Sequence, residues 1–356
     1  MPEVRTGKGR LDEYDYTTTC RVAQYFYEHE EDEEIILQTH SRGKGINLVF
    51  LGDGFNAENI SNGDYLRVMN EQMERFFDIE PYRTYRDYFN VSTAIAVSQE
   101  SGIGTVNTIR RTKFETTFAG GVGLRGDYSA IFDYAMKVSS VDESNLNQSL
   151  IIVTPNTIDY GGITEMWEDG SAIAFCPLSE DTYPYDARGI IQHEAGGHGF
   201  GKLGDEYIYH NGFIEFCCPL DFATLNYGKS LGWYENLSLT GKMHEVPWSH
   251  LIFDDRYSDV VDIYEGGFKH ARGVFRSEQN SCMNNNISYF SAISREAIVK
   301  RIMEYAGESY SFEKFVENDK RDAVNSLSRS AERLGVTVRG NQYAPRIHKG
   351  KPDILK

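Results

Sequence analysis

The sequence has no long apolar run, no paired-cysteine motif, no internal repeat and no excess of positive charge. No stretch approaches the ~20 apolar residues that a membrane-spanning helix needs, so an integral membrane protein is not expected. The opening residues MPEVRTGKGRLDEYDY contain no apolar segment of the kind a signal peptide carries. On that reading the chain either remains inside the cell or has been separated from its export segment. Five cysteines (Cys20, Cys176, Cys217, Cys218, Cys282) are an odd, scattered set without the CxxC spacing of a structural zinc site. At least one thiol stays unpaired unless a second chain supplies its partner. Adjacent Cys217 and Cys218 bridge each other only with strain, so plain thiols are expected. With 36 Lys+Arg against 53 Asp+Glu, the net charge of -17 makes a field that repels phosphate backbones, which argues against general nucleic-acid binding.

What is present describes a folded globular chain: 356 residues, 40% hydrophobic and 13% aromatic, enough for one large domain with extensions or for two ordinary ones. Residues 1–44 are polar and read as an extension or the remnant of a preceding β-domain. The run from Glu28 to Glu34 is most simply a solvated loop or edge between short strands. At Ile46 the character changes. INLVFL is a continuous apolar run of strand length, closed by the turn-forming Gly52-Asp53-Gly54, and predicts a buried strand. Tyr65, Leu66, Met69, Met73, Phe76 and Phe77 recur at three- and four-residue spacing and predict an amphipathic helix. Phe89–Val97 reads as a strand, Ser129–Ser139 as a helix and Leu150–Thr154 as a second buried strand. This alternation predicts a three-layer α/β domain with a mostly parallel sheet. SAIAFC, at 171–176, is a short strand candidate, read as an edge strand. Ser294–Ala306 reads as a late helix, bringing the main domain to about 45–310. Residues 311–356 form a polar, basic extension, with nine Lys+Arg against three Asp+Glu from 320 onwards.

The segment HEAGGHGFGKLGDEY, residues 193–207, carries the chemistry. A catalytic zinc site needs about three protein ligands, an open position and a carboxylate that can take a proton from a metal-bound water. His193 and His198 offer imidazole nitrogens, Glu194 a general base, and Asp205 or Glu206 an oxygen ligand after a glycine-rich turn; His210, twelve residues past His198, is a further candidate. The two histidines stand five apart, whereas HExxH places them four apart. On a regular α-helix that offset puts them about 140° apart, too far round to share one ion. A π-type bulge at Gly196-Gly197 would return them to one face. The glycines themselves point the same way, since each costs roughly 0.8–1.0 kcal/mol relative to Ala inside a helix.

This segment resembles the active-site segment of the IgA-peptidase family of metzincin-like zinc metallopeptidases, which ends in a glycine turn and Asp-Glu-Tyr. INLVFLGDGF resembles the family's first strand and turn, YRDYFNVSTAIAVSQESG its second-strand region, and FRSEQNSCMNNN followed by SREA its later methionine segment, together covering roughly residues 45–306. The resemblance implies a zinc peptidase domain with a twisted, mostly parallel sheet, an antiparallel edge strand, an active-site helix and a methionine turn. It implies Zn2+ held by His193, His198 and Asp205, with Glu206 the rival third ligand. Glu194 would be the catalytic base, and Met283 would lie beneath the histidines. It also implies that the strand before the helix pairs with substrate backbone, SAIAFC being the local candidate, and that the protein works outside the cell or in the cell envelope.

The expected function is hydrolysis of peptide bonds in protein or peptide substrates by a monomeric zinc endopeptidase. Two other readings are a non-catalytic glycan- or protein-binding module on a peptidase fold, and a zinc amidase acting on a non-peptide amide. Retention of Glu194 together with every candidate ligand argues against the first of these. Asp53 is read as part of a Gly-Asp-Gly turn with no catalytic role. Tyr207 and Tyr289 are both candidate hydrogen-bond donors to a developing oxyanion, and spacing selects neither. The substrate's identity is not written in these residues.

Overall fold

A computed structural model describes residues 29–321 and 344–354. Cys20, the first 28 residues and much of the basic C-terminal stretch fall outside the described residues. In chain order, the strands that concern the site are β1 (Glu34–Gln38), β2 (Ile46–Asp53), β3 (Phe89–Ala94), β4 (Leu150–Pro155), β5 (Ile163–Trp167), β6 (Ala172–Phe175), β7 (Ile208–Phe213), β8 (Leu237–Ser238), β9 (Tyr264–Gly267), β10 (Lys269–Arg276) and β11 (Arg346–His348). The helices are α1 (Asp64–Phe77), α2 (Tyr128–Ala135), α3 (Ala187–Ile191), α4 (Pro219–Ser230), α5 (Cys282–Asn285) and α6 (Ala292–Ala306).

Seven strands form the main sheet in the order β1-β3-β2-β4-β6-β5-β11. β2 runs parallel to both β3 and β4, and β4 parallel to β6. β1 is antiparallel to β3 at one edge, and β5 is antiparallel to β6. The result is a mixed α/β domain around a mostly parallel sheet. All eight residues of β2 are buried, which is why its sequence is an unbroken apolar run and not an alternation. The pleat divides its side chains between two cores. Ile46, Leu48 and Phe50 pack with Met69, Met73 and Phe76 of α1, whereas Val49 and Leu51 pack with Ile131, Phe132 and Ala135 of α2.

SAIAFC is not at an edge. β6 is paired on one side with β4 and on the other with β5, so its backbone groups are already bonded and cannot add a substrate strand. β5 lies beyond it, and the sheet ends on β11, which runs parallel to β5 and pairs Arg346 with Glu165 and His348 with Trp167. Glu165 is fully buried and is met from three directions, by Tyr128 Oη at 2.9 Å, Arg346 Nη1 at 3.1 Å and His348 Nε2 at 2.8 Å. A second sheet, missed in the sequence, follows the glycine turn: β10 pairs antiparallel with β8 and β9 and parallel with β7. Among the described residues no helix is long and apolar enough to cross a membrane.

Candidate metal centre

The site is built on the one irregular helix of the HE segment. Asp186 caps α3 by accepting from Gly189 N at 2.9 Å, and from Gln192 to Phe200 the same helix continues in π geometry. At roughly 4.4 residues per turn, a five-residue offset advances about 50° past a full turn, so His193 and His198 return to one face. Gly201 N donates to the Gly196 carbonyl at 3.0 Å, as the wider turn requires, and the same carbonyl accepts from the Tyr82 hydroxyl at 2.6 Å.

The glycines are there for close approach. A Cβ on Gly197 would lie 2.2 Å from Met283 Sδ and 2.8 Å from its Cε, so Met283 rests directly on the π segment. Gly197→Ala must push the wholly buried Met283 aside. Overpacking of that kind costs about 1–3 kcal/mol, and the variant is expected to melt lower and to hold metal less tightly. Thermal melts with and without added zinc check this; an unchanged melt would mean that Met283 yields freely.

His193, His198 and Asp205 offer ligand atoms that all lie within 4.8 Å of one another, every residue buried. His193 Nδ1 is 2.9 Å from the Cys282 carbonyl and His198 Nδ1 is 2.7 Å from the Leu203 carbonyl. A carbonyl only accepts, so both Nδ1 atoms carry protons, and in the neutral rings both Nε2 lone pairs are left bare. These face a single atom, Asp205 Oδ1, at 3.2 and 3.1 Å. Without a cation, two bare lone pairs would face a carboxylate oxygen inside the protein, an arrangement in which the three atoms repel one another. Among the described residues Asp205 Oδ2 has no hydrogen-bond partner either. Two neutral imidazoles and one carboxylate converging without protons fit a borderline divalent cation such as zinc. Burial raises the Asp205 carboxyl and positive charge facing it lowers it, the second effect winning so that the group sits well below the usual carboxylate range.

Glu194 lies beside this cluster. Its Oε2 accepts from the Thr164 hydroxyl of β5 at 2.8 Å. Burial pushes its carboxyl up to about 7 against the opposing pull of His193 and Thr164. A narrow cavity opens onto His193 and Glu194, lined further by Val122, Tyr160, Gly161, Gly162, Ile190 and Asn286. A Cβ on Gly162 would stand 3.2 Å from Glu194 Oε1, so its absence leaves that oxygen approachable.

The other sequence candidates are placed elsewhere. Glu206 Oε1 accepts from Asn236 Nδ2 at 2.9 Å and Oε2 from Ser281 Oγ at 2.5 Å, while its backbone N–H donates to the Met283 carbonyl at 2.8 Å. It braces the floor of the site. His210 is exposed on β7, in register with His270. Tyr289 donates to Glu278 Oε2 at 2.7 Å and is thereby committed, whereas Tyr207 is buried beside Asp205 with its ring stacked 6.4 Å from that of His193. Asp53 accepts from Phe114 N, Thr116 N, the Thr112 hydroxyl and the Ser98 hydroxyl, anchoring the loop that follows β3. Thr164 escaped the sequence reading, because a threonine in ITEMW carries no sign that its hydroxyl reaches a residue thirty positions on.

Over residues 35–220 the chain matches the model of a family of peptidases. The family is IgA Peptidase M64, the match spans more than half of the chain, and the chain belongs to that family, whose members are metallopeptidases. No curated protein matches it.

Proposed function

We propose that the protein is a zinc-dependent endopeptidase in which His193, His198 and Asp205 hold the metal and Glu194 is the general base. The observation that carries this reading is the meeting of His193 Nε2, His198 Nε2 and Asp205 Oδ1 without protons between them, one residue away from a buried carboxylate. Bound there, zinc supplies Lewis-acid polarisation of a carbonyl and brings the pKa of a water towards ~7. The chain's own residues do the rest. Cys282 and Leu203 carbonyls fix the imidazole tautomers. Thr164 pins Glu194 Oε2, leaving Oε1 to accept a proton from the attacking water and pass it to the departing amine nitrogen. Gly162 keeps the approach to that oxygen open. The peptide or protein substrate, an extracellular or cell-envelope setting and a monomeric state belong to the same proposal.

Stripping the metal with a chelator is expected to abolish cleavage of a peptide library, and adding back one equivalent of zinc at the site to restore it. Cleavage that proceeds equally well in the stripped protein would sink the reading. Activity restored only on non-peptide amides would move it to an amidase.

A further inference from the structure

A second group of donor atoms lies outside this centre, on the sheet that follows the glycine turn. Cys217 ends the short helix Ile214–Cys217, Cys218 immediately precedes α4, and His270 lies in β10. Their two sulfurs and one imidazole nitrogen all fall within 4.8 Å of one another. The sulfurs are 3.2 Å apart, well beyond the ~2.05 Å of a disulfide, and Cys217 Sγ is 3.5 Å from His270 Nδ1.

The imidazole is oriented for this contact. His270 Nε2 is 2.9 Å from Asp221 Oδ2, and a carboxylate only accepts, so the ring proton sits on Nε2 and the Nδ1 lone pair points at the thiols. Asp221 is itself fixed by Lys269 Nζ at 3.0 Å. A carboxylate behind an imidazole whose other nitrogen faces soft donors is the usual outer support of a metal-bound histidine. An S–H···N bond from Cys217 accounts for one of these contacts but leaves the second sulfur with nothing except the first. With Zn–S near 2.3 Å and Zn–N near 2.0–2.1 Å, two ligands on one tetrahedral zinc stand roughly 3.5–3.8 Å apart, close to the separations seen. His210, in register on β7, has its ring centroid 5.2 Å from that of His270.

We propose that Cys217, Cys218 and His270 form a second metal centre that binds Zn2+, with Asp221 as the residue positioning His270. Two thiolates balance the charge of the ion and the imidazole adds a neutral ligand. The chain between Cys218 and His270 closes into one long loop, so the ion clips the stretch from β7 to α4 onto β10. The centre is structural in kind, and it does not depend on the peptidase reading, because it shares no residue with the first cluster.

The test uses the full chain, purified under reducing conditions, stripped of metal and reloaded with Zn2+ or Co2+. Two equivalents of zinc are expected in the wild type, and one in the doubly substituted Cys217→Ser, Cys218→Ser protein. Cobalt is expected to give a near-ultraviolet thiolate charge-transfer band, which the sulfur-free cluster of His193, His198 and Asp205 cannot produce, and the double substitution should abolish it. Asp221→Asn is expected to weaken retention of that one equivalent about tenfold or more, as loss of an outer carboxylate does. Both cysteines are at least partly exposed, so the serine side chains themselves introduce no packing fault. The absence of the band in reduced wild type, or an unchanged zinc count in the double variant, overturns the proposal. So does a Cys217–Cys218 disulfide that resists the reduction and leaves only one equivalent of zinc bound.

Discussion

Glu194→Gln is expected to leave the metal in place and to lower kcat/KM on peptides by roughly 10²–10⁴-fold, the range a positioned general acid–base contributes. The substitution is close to isosteric. An amide oxygen in the place of Oε2 can still accept from the Thr164 hydroxyl, so the side chain stays where it is and only its ability to hold a proton goes. None of the three converging ligand atoms belongs to Glu194, so metal content, measured by elemental analysis, should be unchanged. Folded stability should not fall, because the change removes a carboxyl that burial disfavours in its charged form. A Gln variant that binds zinc and cleaves within tenfold of the native rate would remove Glu194 from the mechanism. One that loses both metal and activity would instead make it part of the metal cage.

How much of this was legible in the sequence depended on whether a residue's surroundings are local. Ile46–Asp53 and Leu150–Pro155 announced themselves because a strand buried on both faces has no polar position to interrupt it. The amphipathic helix Asp64–Phe77 was equally readable from its stripe. The π segment followed from two facts side by side, histidines five apart and a pair of glycines between them. Asp205 and Glu206 are a different matter. Adjacent carboxylates cannot be told apart by spacing, and what turns Glu206 away is Asn236 and Ser281, thirty and seventy-five positions downstream. SAIAFC failed as an edge strand because a strand's composition does not record how many of its edges are paired. The strand ITEMW carries a charged Glu165 at its centre, whose partners Arg346 and His348 come from the far end of the chain. In β9 and β10 the pattern is broken by glycines such as Gly273, at φ 82°, where a Cβ would sit 2.6 Å from Phe213 Cε1. The same long separation hid the approach of His270 to Cys217.

Removing one side chain outside the cluster of His193, His198 and Asp205 is expected to produce the largest loss of stability. Arg295 of α6 is buried, and so is its partner Asp319; the guanidinium donates Nε to Asp319 Oδ1 at 2.6 Å, Nη2 to Oδ2 at 2.8 Å, and Nη1 to the Phe290 carbonyl at 2.6 Å. Arg295→Met keeps much of the volume but leaves Asp319 as a buried charge with only the Tyr257 hydroxyl beside it, which should cost about 3–5 kcal/mol. In melting temperature that is a fall of roughly 5–15 °C. Metal retention should suffer before the whole domain unfolds, because the aromatic ring of Phe290 stands 3.5 Å from where a Cβ on Gly196 or Gly197 would be and packs against Tyr82, which bonds the bulged carbonyl. The double variant Arg295→Met, Asp319→Leu removes both charges and should recover most of the loss, since apolar replacement of a buried ion pair is close to neutral. Melting curves of the two single variants and the double, combined as a cycle, separate the pair from the packing around it. If the double variant falls as far as Arg295→Met alone, the stability resides in the bond to the Phe290 carbonyl, and the segment under the histidines is held by that contact and not by the ion pair.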